Sequence, residues 1–502
     1  MSTFRKKALC AVLAGVGAAG WIGSAQAVSL NPAGLGQVLI YPYYTVRDSG
    51  SGNAFNSLMS VVNHTERAKA VRVRFLEGKA SQEVLDFNLY LSQEDVWTAA
   101  IVPTDDGTGA KIMTHDTSCT SPPIPAGGQP FSTVLFSASY ADGEDATADR
   151  TKEGYAEIIE MADIVTGSAT EKNVTHATVA GWWKPLNCGG VWGDWSKPSW
   201  VDSDLVGGSG GLSGSMTLIS VNEAQGVAFK ATALDGFFKG TEAKDNLWAP
   251  AGSIEPNLAS VYPKVSTVVD GFNAYVTTWP SNSGADPVSA VLMSQSVYNE
   301  YVLDKTIAAK TDWLITMPTK RFYYDAANGD GRPLKAGYKL FQRDFIKGGA
   351  CESFPLIGKY FDREERRVVM AGFPGQPQPS WNLCWGANIV TFGWMGTASV
   401  FHAKNRVTLP VAFENGWARL TFDANQGYRQ LTGGTTQWID SSAMPPTVNS
   451  KNEITFTGLP MLGFAVQQFN NGEVPSSVPG GKVWASYAGR IEHSFEKRID
   501  VK

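Results

Sequence analysis

The stretch from Ser57 to Val102, SLMSVVNHTERAKAVRVRFLEGKASQEVLDFNLYLSQEDVWTAAIV, constrains the fold more than any other part of this chain. Val71, Val73 and Phe75 alternate with Arg72 and Arg74, the period-two signature of a strand with one apolar face and one polar, solvated face. After a turn at Glu77-Gly78-Lys79 the alternation returns. Leu85, Phe87, Leu89 and Leu91 share one side, and Asp86, Asn88 and Tyr90 take the other. Two strands with one greasy face each need a second sheet to cover them, so the local pattern predicts a β-sandwich.

The first 27 residues read as a leader and drop out of the fold argument. Arg5, Lys6 and Lys7 form a positive start, Ala8 to Ile22 an apolar and small-residue core, and Ala25-Gln26-Ala27 an A-x-A cleavage site. Removing the three cations leaves 39 basic against 47 acidic residues, a net charge of −8. That sign argues against nucleic acid as a partner, because such surfaces are basic. No later apolar run approaches the roughly 20 residues of a membrane helix. The strands are short and irregular, unlike the regular segments of about ten residues in an outer-membrane barrel. Localisation is therefore expected to be periplasmic, outer-surface or extracellular.

Four cysteines follow the leader: Cys119, Cys188, Cys351 and Cys384. An even number in an exported chain predicts two disulfides. Three pairings exist, and Cys119–Cys188 with Cys351–Cys384 closes the shortest loops consistent with separate domains. No C-x-x-C supports the rival use in metal binding.

Further strand patterns lie at Gln37 to Tyr41, Phe131 to Tyr140, Gly154 to Met161, Met216 to Val221 and Gly226 to Ala233. One helix is expected near 286–303, with Asp286 as N-cap, Pro287 in the first turn, and Val288, Val291, Leu292, Tyr298, Tyr301 and Val302 largely on one face. The last third alternates again, as at Arg406 to Phe413 and Gly463 to Phe469. The prediction is a mainly β chain of two sandwich-like, immunoglobulin-like regions with long loops. The first domain is placed at 28–206 and the second at 207–502, with a soft boundary in the Gly/Ser run at Val206 to Ser215.

Between Gly181 and Trp200 stand five tryptophans in twenty residues. The prolines and glycines there favour a rigid loop whose rings pack around a disulfide at Cys188. The alternative is that Trp182, Trp183, Trp192 and Trp195 line a sugar-binding subsite, since flat aromatic faces stack on sugar rings. Asp325, Asn328 and Asp330 resemble part of a calcium loop, but registering them on the EF-hand pattern puts Ala326 at position one and Gly337 at position twelve. A hairpin turn is the better reading, and no cofactor is assigned. The acidic run Asp142, Glu144, Asp145 and Asp149 reads as a solvated loop, and Asp362 to Arg367 as a self-paired surface. Gly207 to Gly211 satisfies G-x-S-x-G literally, yet no strand-to-helix elbow follows it. No catalytic residue emerges.

The phrases SVVNHTERAKAVRVRFLEG, VLDFNLYLSQEDVW, EGYAEIIEM, TDWLITMPTKRFYYD and GLPMLGFAVQQF together resemble a family of exported bacterial proteins, mostly uncharacterised and labelled cell-surface proteins. The resemblance spans about Val28 to Phe469. It implies an envelope location and a β-rich fold, and brings no catalytic residues. Function is thus expected to be binding, or a structural role at the surface, with an unknown surface partner or a glycan.

Overall fold

A computed structural model of the chain describes residues 26–502 apart from 51–53, 192–201, 241–244, 325–330, 333–334, 336, 347, 356–358, 368–379, 395, 441, 444–446 and 478–480. Residues 1–25 of the expected leader lie outside the described residues. The chain is mainly β. Its first half runs β1 Ser29–Leu30, β2 Val38–Thr45, β3 Asn56–Asn63, β4 Lys69–Glu77, β5 Glu83–Leu91, β6 Val96–Pro103, β7 Ala110–Met113, β8 Cys119–Ser121, β9 Gln129–Pro130 and β10 Glu153–Ile164. Helix α1 (Ala169–Val174) follows, then β11 His176–Val179, β12 Trp182–Pro185, β13 Leu205–Val206, β14 Leu212–Ser220, β15 Gln225–Lys230 and β16 Thr232–Asp235.

Two antiparallel sheets result. One has the order β1-β16-β2-β10-β4-β5-β8, the other β15-β14-β3-β6-β7-β9. Val73 lies opposite Phe87 on one side and Ile158 on the other, so the apolar alternation of three strands is in register. That face packs on Met59, Val61, Trp97 and Ile101 of the second sheet, as the sequence predicted. Each large apolar side chain so buried contributes roughly 1.5–3 kcal/mol. Gly214 in β14 allows the sheets to approach. A Cβ there would strike the Tyr41 hydroxyl, which donates to the Ser60 carbonyl at 2.8 Å.

The polar face of β4 departs from the expectation of solvent exposure. Every residue of β4 is buried. Chain from 245 to 258 lies across this face: Arg72 donates to the carbonyls of Ala249 and Pro250, Arg74 to that of Pro256, and Asn88 to that of Ala249. Arg72 also pairs with Asp86, and Arg74 with Glu83 at 2.6 Å. The guanidinium groups leave water only because carboxylates and backbone carbonyls replace it.

The sheets do not divide where 28–206 and 207–502 were expected to part. β14 pairs with β3, and β16 pairs with β2, so residues 212–235 complete the first sandwich. Beyond it, α2 (Asp286–Leu292) covers only the start of the helix expected near 286–303. Asp286 sits inside the first turn, and Ala285 is the cap. Ser296–Val302 is a strand paired with Asn415–Thr421, which overrides the helical spacing of Tyr298, Tyr301 and Val302. Phe131 to Tyr140 is likewise not a strand but two single-turn 3-10 helices, Val134–Phe136 and Ala138–Tyr140.

The second half builds several smaller sheets around a core that includes Trp279, Tyr301, Trp313, Phe392 and Phe456. Its five-stranded sheet runs Arg406–Leu409, Ala387–Phe392, Lys310–Thr316, Phe464–Pro475, Lys482–Glu492. Leu314, Ile389, Phe464 and Val466 from that sheet belong to the core of the first sandwich. Backbone bonds from Gly386 to Lys79 and from Ala387 to Gly78 join the halves directly. Cys119–Cys188 and Cys351–Cys384 are both bridged, the sequential pairing.

Candidate functional site

The tryptophan-rich segment begins as a hairpin with a fixed base. Ser168 accepts from the amide of Glu171 at 3.1 Å and starts α1, while the Glu171 carboxylate accepts from the Gly167 amide and from Gln93. This reciprocal arrangement resembles a capping box, and the Ser168-x-x-Glu171 spacing is a signal that sequence reading could have used. β11 and β12 then pair, with Thr178 opposite Trp183 and Val179 opposite Trp182. Ala180 and Gly181 both take positive φ at the turn, the backbone that two-residue hairpins of this twist require.

The base is held from several sides. Leu186 and Asn187 donate to the carbonyls of Thr175 and Asn173. The His176 ring lies 2.9 Å from the Ser92 hydroxyl and 3.4 Å from that of Thr117. Cys188 is bonded to Cys119 in β8, which fixes the hairpin to the edge of the larger sheet. The tip, by contrast, projects: Trp182 is 74% and Trp183 71% exposed. Neighbouring strand residues point to opposite sides, so the two rings flank the hairpin. These two therefore do not pack around the disulfide, contrary to the rigid-loop expectation. Trp192 and Trp195 lie outside the described residues.

Asp325, Asn328 and Asp330 also lie outside the described residues. Among the described residues no group of three or more His, Cys, Asp or Glu side chains is placed to hold a metal ion. The acidic run is not simply solvated. Asp142 is buried and grips Arg150 with both oxygens at 2.7 and 2.6 Å, Glu144 pairs with Lys79, and Asp149 pairs with Arg47 and Lys404. Asp362, Glu364 and Arg366 do pair among themselves. Ser209 of the G-x-S-x-G match accepts from Lys69 at 3.0 Å, and its segment runs into strand β14 without a helix.

Two arrangements escaped sequence reasoning. The first is a buried ionic layer on the polar side of the larger sheet. Lys69 lies between Glu160 and Asp163 at 2.5 and 2.6 Å, with all three side chains sealed from solvent. Burial raises the Glu160 carboxyl to about 7 despite the opposing pull of Lys69. Glu157 nearby is also pushed up by burial, and neither of its oxygens has a hydrogen-bond partner.

The second is a cleft of about 370 Å³ between 280–286, 337–340 and 427–432, lined in part by Asn282, Ser283, Asp286, Tyr338, Lys339 and Gln430. Asp286 accepts from the Tyr323 hydroxyl at 2.8 Å. Burial lifts its carboxyl to about 6, against the opposing effects of that hydrogen bond and of Lys264. Three segments separated by up to 150 residues supply this wall, so no local pattern announced it. The chain matches no family model, no curated protein and no solved structure.

Proposed function

We propose that this chain is an exported, disulfide-stapled protein of the cell envelope, periplasmic or surface-exposed, that works by binding. The Trp182–Trp183 hairpin tip is its contact surface and a glycan its partner. The observation that carries this reading is the pairing of an exposed tip with an anchored base: two adjacent tryptophans stand in water on a hairpin tied by a disulfide. Large apolar rings left in water are a standing cost that contact with a flat apolar face recovers. A rigid tryptophan loses little conformational freedom on contact, and its face suits the C–H side of a sugar ring.

Export is supported by the leader-like start and by two disulfides, which persist in oxidising compartments. The resemblance to exported cell-surface proteins points the same way, and an immunoglobulin-like sandwich is a common scaffold for surface binding. No helix among the described residues is long and apolar enough to cross a membrane.

The test is fractionation of expressing cells followed by a glycan array. The expected result is mature protein outside the cytoplasm, with selective array binding that Trp182→Ala and Trp183→Ala both abolish. Cytoplasmic accumulation with an intact leader, or array binding indifferent to both substitutions, overturns the proposal.

A further inference from the structure

We infer that the cleft at Asp286 is a binding site for a small neutral polyol, of the size and chemistry of a monosaccharide. This inference stands apart from the hairpin, which lies in a different part of the chain.

Hydrogen bonding in the cleft wall is incomplete. Ser283 is buried, lines the cleft, and its hydroxyl has no partner within the protein. Buried hydroxyl groups are normally paired, so this orphan, sealed within the cleft wall, is a polar group for which the protein supplies no partner. Asp286 adds a carboxyl to the lining, its Oδ1 held by the Tyr323 hydroxyl. Tyr323 is itself 2.8 Å from the Ser289 hydroxyl, and Ser289 2.8 Å from that of Thr319. That chain of buried hydroxyls fixes the carboxyl from behind.

Charges around the cleft are mixed in sign. Lys264 offsets Asp286 electrostatically while donating to the carbonyls of Ala259 and Gly284, so it is held in place beside the carboxyl. Lys339 adds a further cation at the exposed rim. An anionic ligand would meet Asp286, and a cationic one would meet Lys339. A purely apolar ligand would offer the Asp286 carboxyl nothing in place of water. A neutral hydroxylated ligand avoids all three costs, because each hydroxyl can both donate to the carboxylate and accept from amides or hydroxyls.

The shape of the cleft also suits a small ring. Tyr338 forms part of the wall and packs edge-on against Tyr323, which holds its ring in place. An aromatic wall beside convergent polar groups is the usual make-up of a small-molecule site, and the cleft falls at the lower end of the ~300–1,000 Å³ range of such sites.

The experiment is saturation-transfer NMR and calorimetry on the full disulfide-bonded protein. The probes are glucose, galactose, mannose, N-acetylglucosamine and myo-inositol, with acetate and methylammonium as charged controls. At least one neutral probe is expected to bind saturably. Asp286→Asn should weaken it by about tenfold, as loss of a charged acceptor does. Gln430→Ala should weaken it less, and Trp182→Ala/Trp183→Ala should leave it unchanged. Should Asp286→Asn fail to fold, Gln430→Ala carries the test alone. Failure of every neutral probe to bind overturns the inference, as does preference for a charged control. Binding indifferent to the cleft variants also overturns it. Binding lost only in the tryptophan variant transfers the ligand to the hairpin and overturns the cleft while leaving the hairpin proposal intact.

Discussion

Replacing Lys69 with methionine removes a cation from the sealed cluster it forms with Glu160 and Asp163 while roughly keeping its volume. The two carboxylates are then left with Arg67, a half-exposed side chain 3.4 Å from Asp163. Breaking a buried pair in this way costs about 3–5 kcal/mol, because the surviving charge remains out of water. Glu160→Gln should act in the opposite sense. It leaves Lys69 and Asp163 as a balanced pair and removes the surplus negative charge. The folded state raises the Glu160 carboxyl from 4.5 to about 7. Between those values the unfolded chain has released the proton and the folded chain still holds it. Stability is therefore greatest below the unfolded pKa and falls as pH rises through the folded one, by roughly 3 kcal/mol at ~1.4 kcal/mol per unit. Urea unfolding followed by tryptophan fluorescence at pH 5 and pH 8 reads both effects. Lys69→Met should lower the midpoint at both pH values, and Glu160→Gln should lose this part of the decline between them. A loss under about 1 kcal/mol in the first variant, or an unchanged pH slope in the second, would refute the claim that this layer is dry.

Other expectations follow from the same geometry. Arg150, buried between Glu77 and Asp142, should cost about 3–5 kcal/mol when changed to methionine; a thermal midpoint equal to that of the parent would contradict this. Non-reducing peptide mapping should recover Cys119–Cys188 and Cys351–Cys384. Removing the first bridge, whose cysteines are 69 residues apart, should destabilise by about 4 kcal/mol; free thiols at these positions would contradict it. His493 is buried against Trp313, and desolvation pushes its imidazole down from 6.5 to about 3. The unfolded chain takes up that proton first, so stability contributed here is lost as pH falls below 6.5. His493→Gln should shift the acid-unfolding midpoint to lower pH, and an unmoved midpoint would count against the assignment.

What the sequence disclosed and concealed divides by range. The apolar faces of β4 and β5 were legible because period-two spacing is written within nine residues, and both faces pack as read. The fate of Arg72 and Arg74 was not legible. Local pattern shows that they share a side, but the chain that covers that side lies some 180 residues later. Asp286-Pro287 marked the helix start one residue late, and the residues from Ser296 were claimed by strand pairing with Asn415–Thr421. Val297 and Tyr301 are buried there, four residues apart, a spacing that helix and strand both satisfy. The tryptophan cluster was visible as composition, but the exposure of Trp182 and Trp183 depends on the Ala180–Gly181 turn, which lacks the Asn-Gly or Asp-Gly signature of such hairpins. The cleft at Asp286 had no local trace at all.

The most direct measurement for the account as a whole is calorimetric titration of the strongest array glycan into parent protein and into the Trp182→Ala/Trp183→Ala double variant. The account predicts saturable binding by the parent and none by the variant, with superimposable thermal unfolding, since these rings touch solvent rather than core. Equal affinity in the two proteins, or a variant that unfolds earlier, would show that the tryptophans serve the fold and that recognition lies elsewhere.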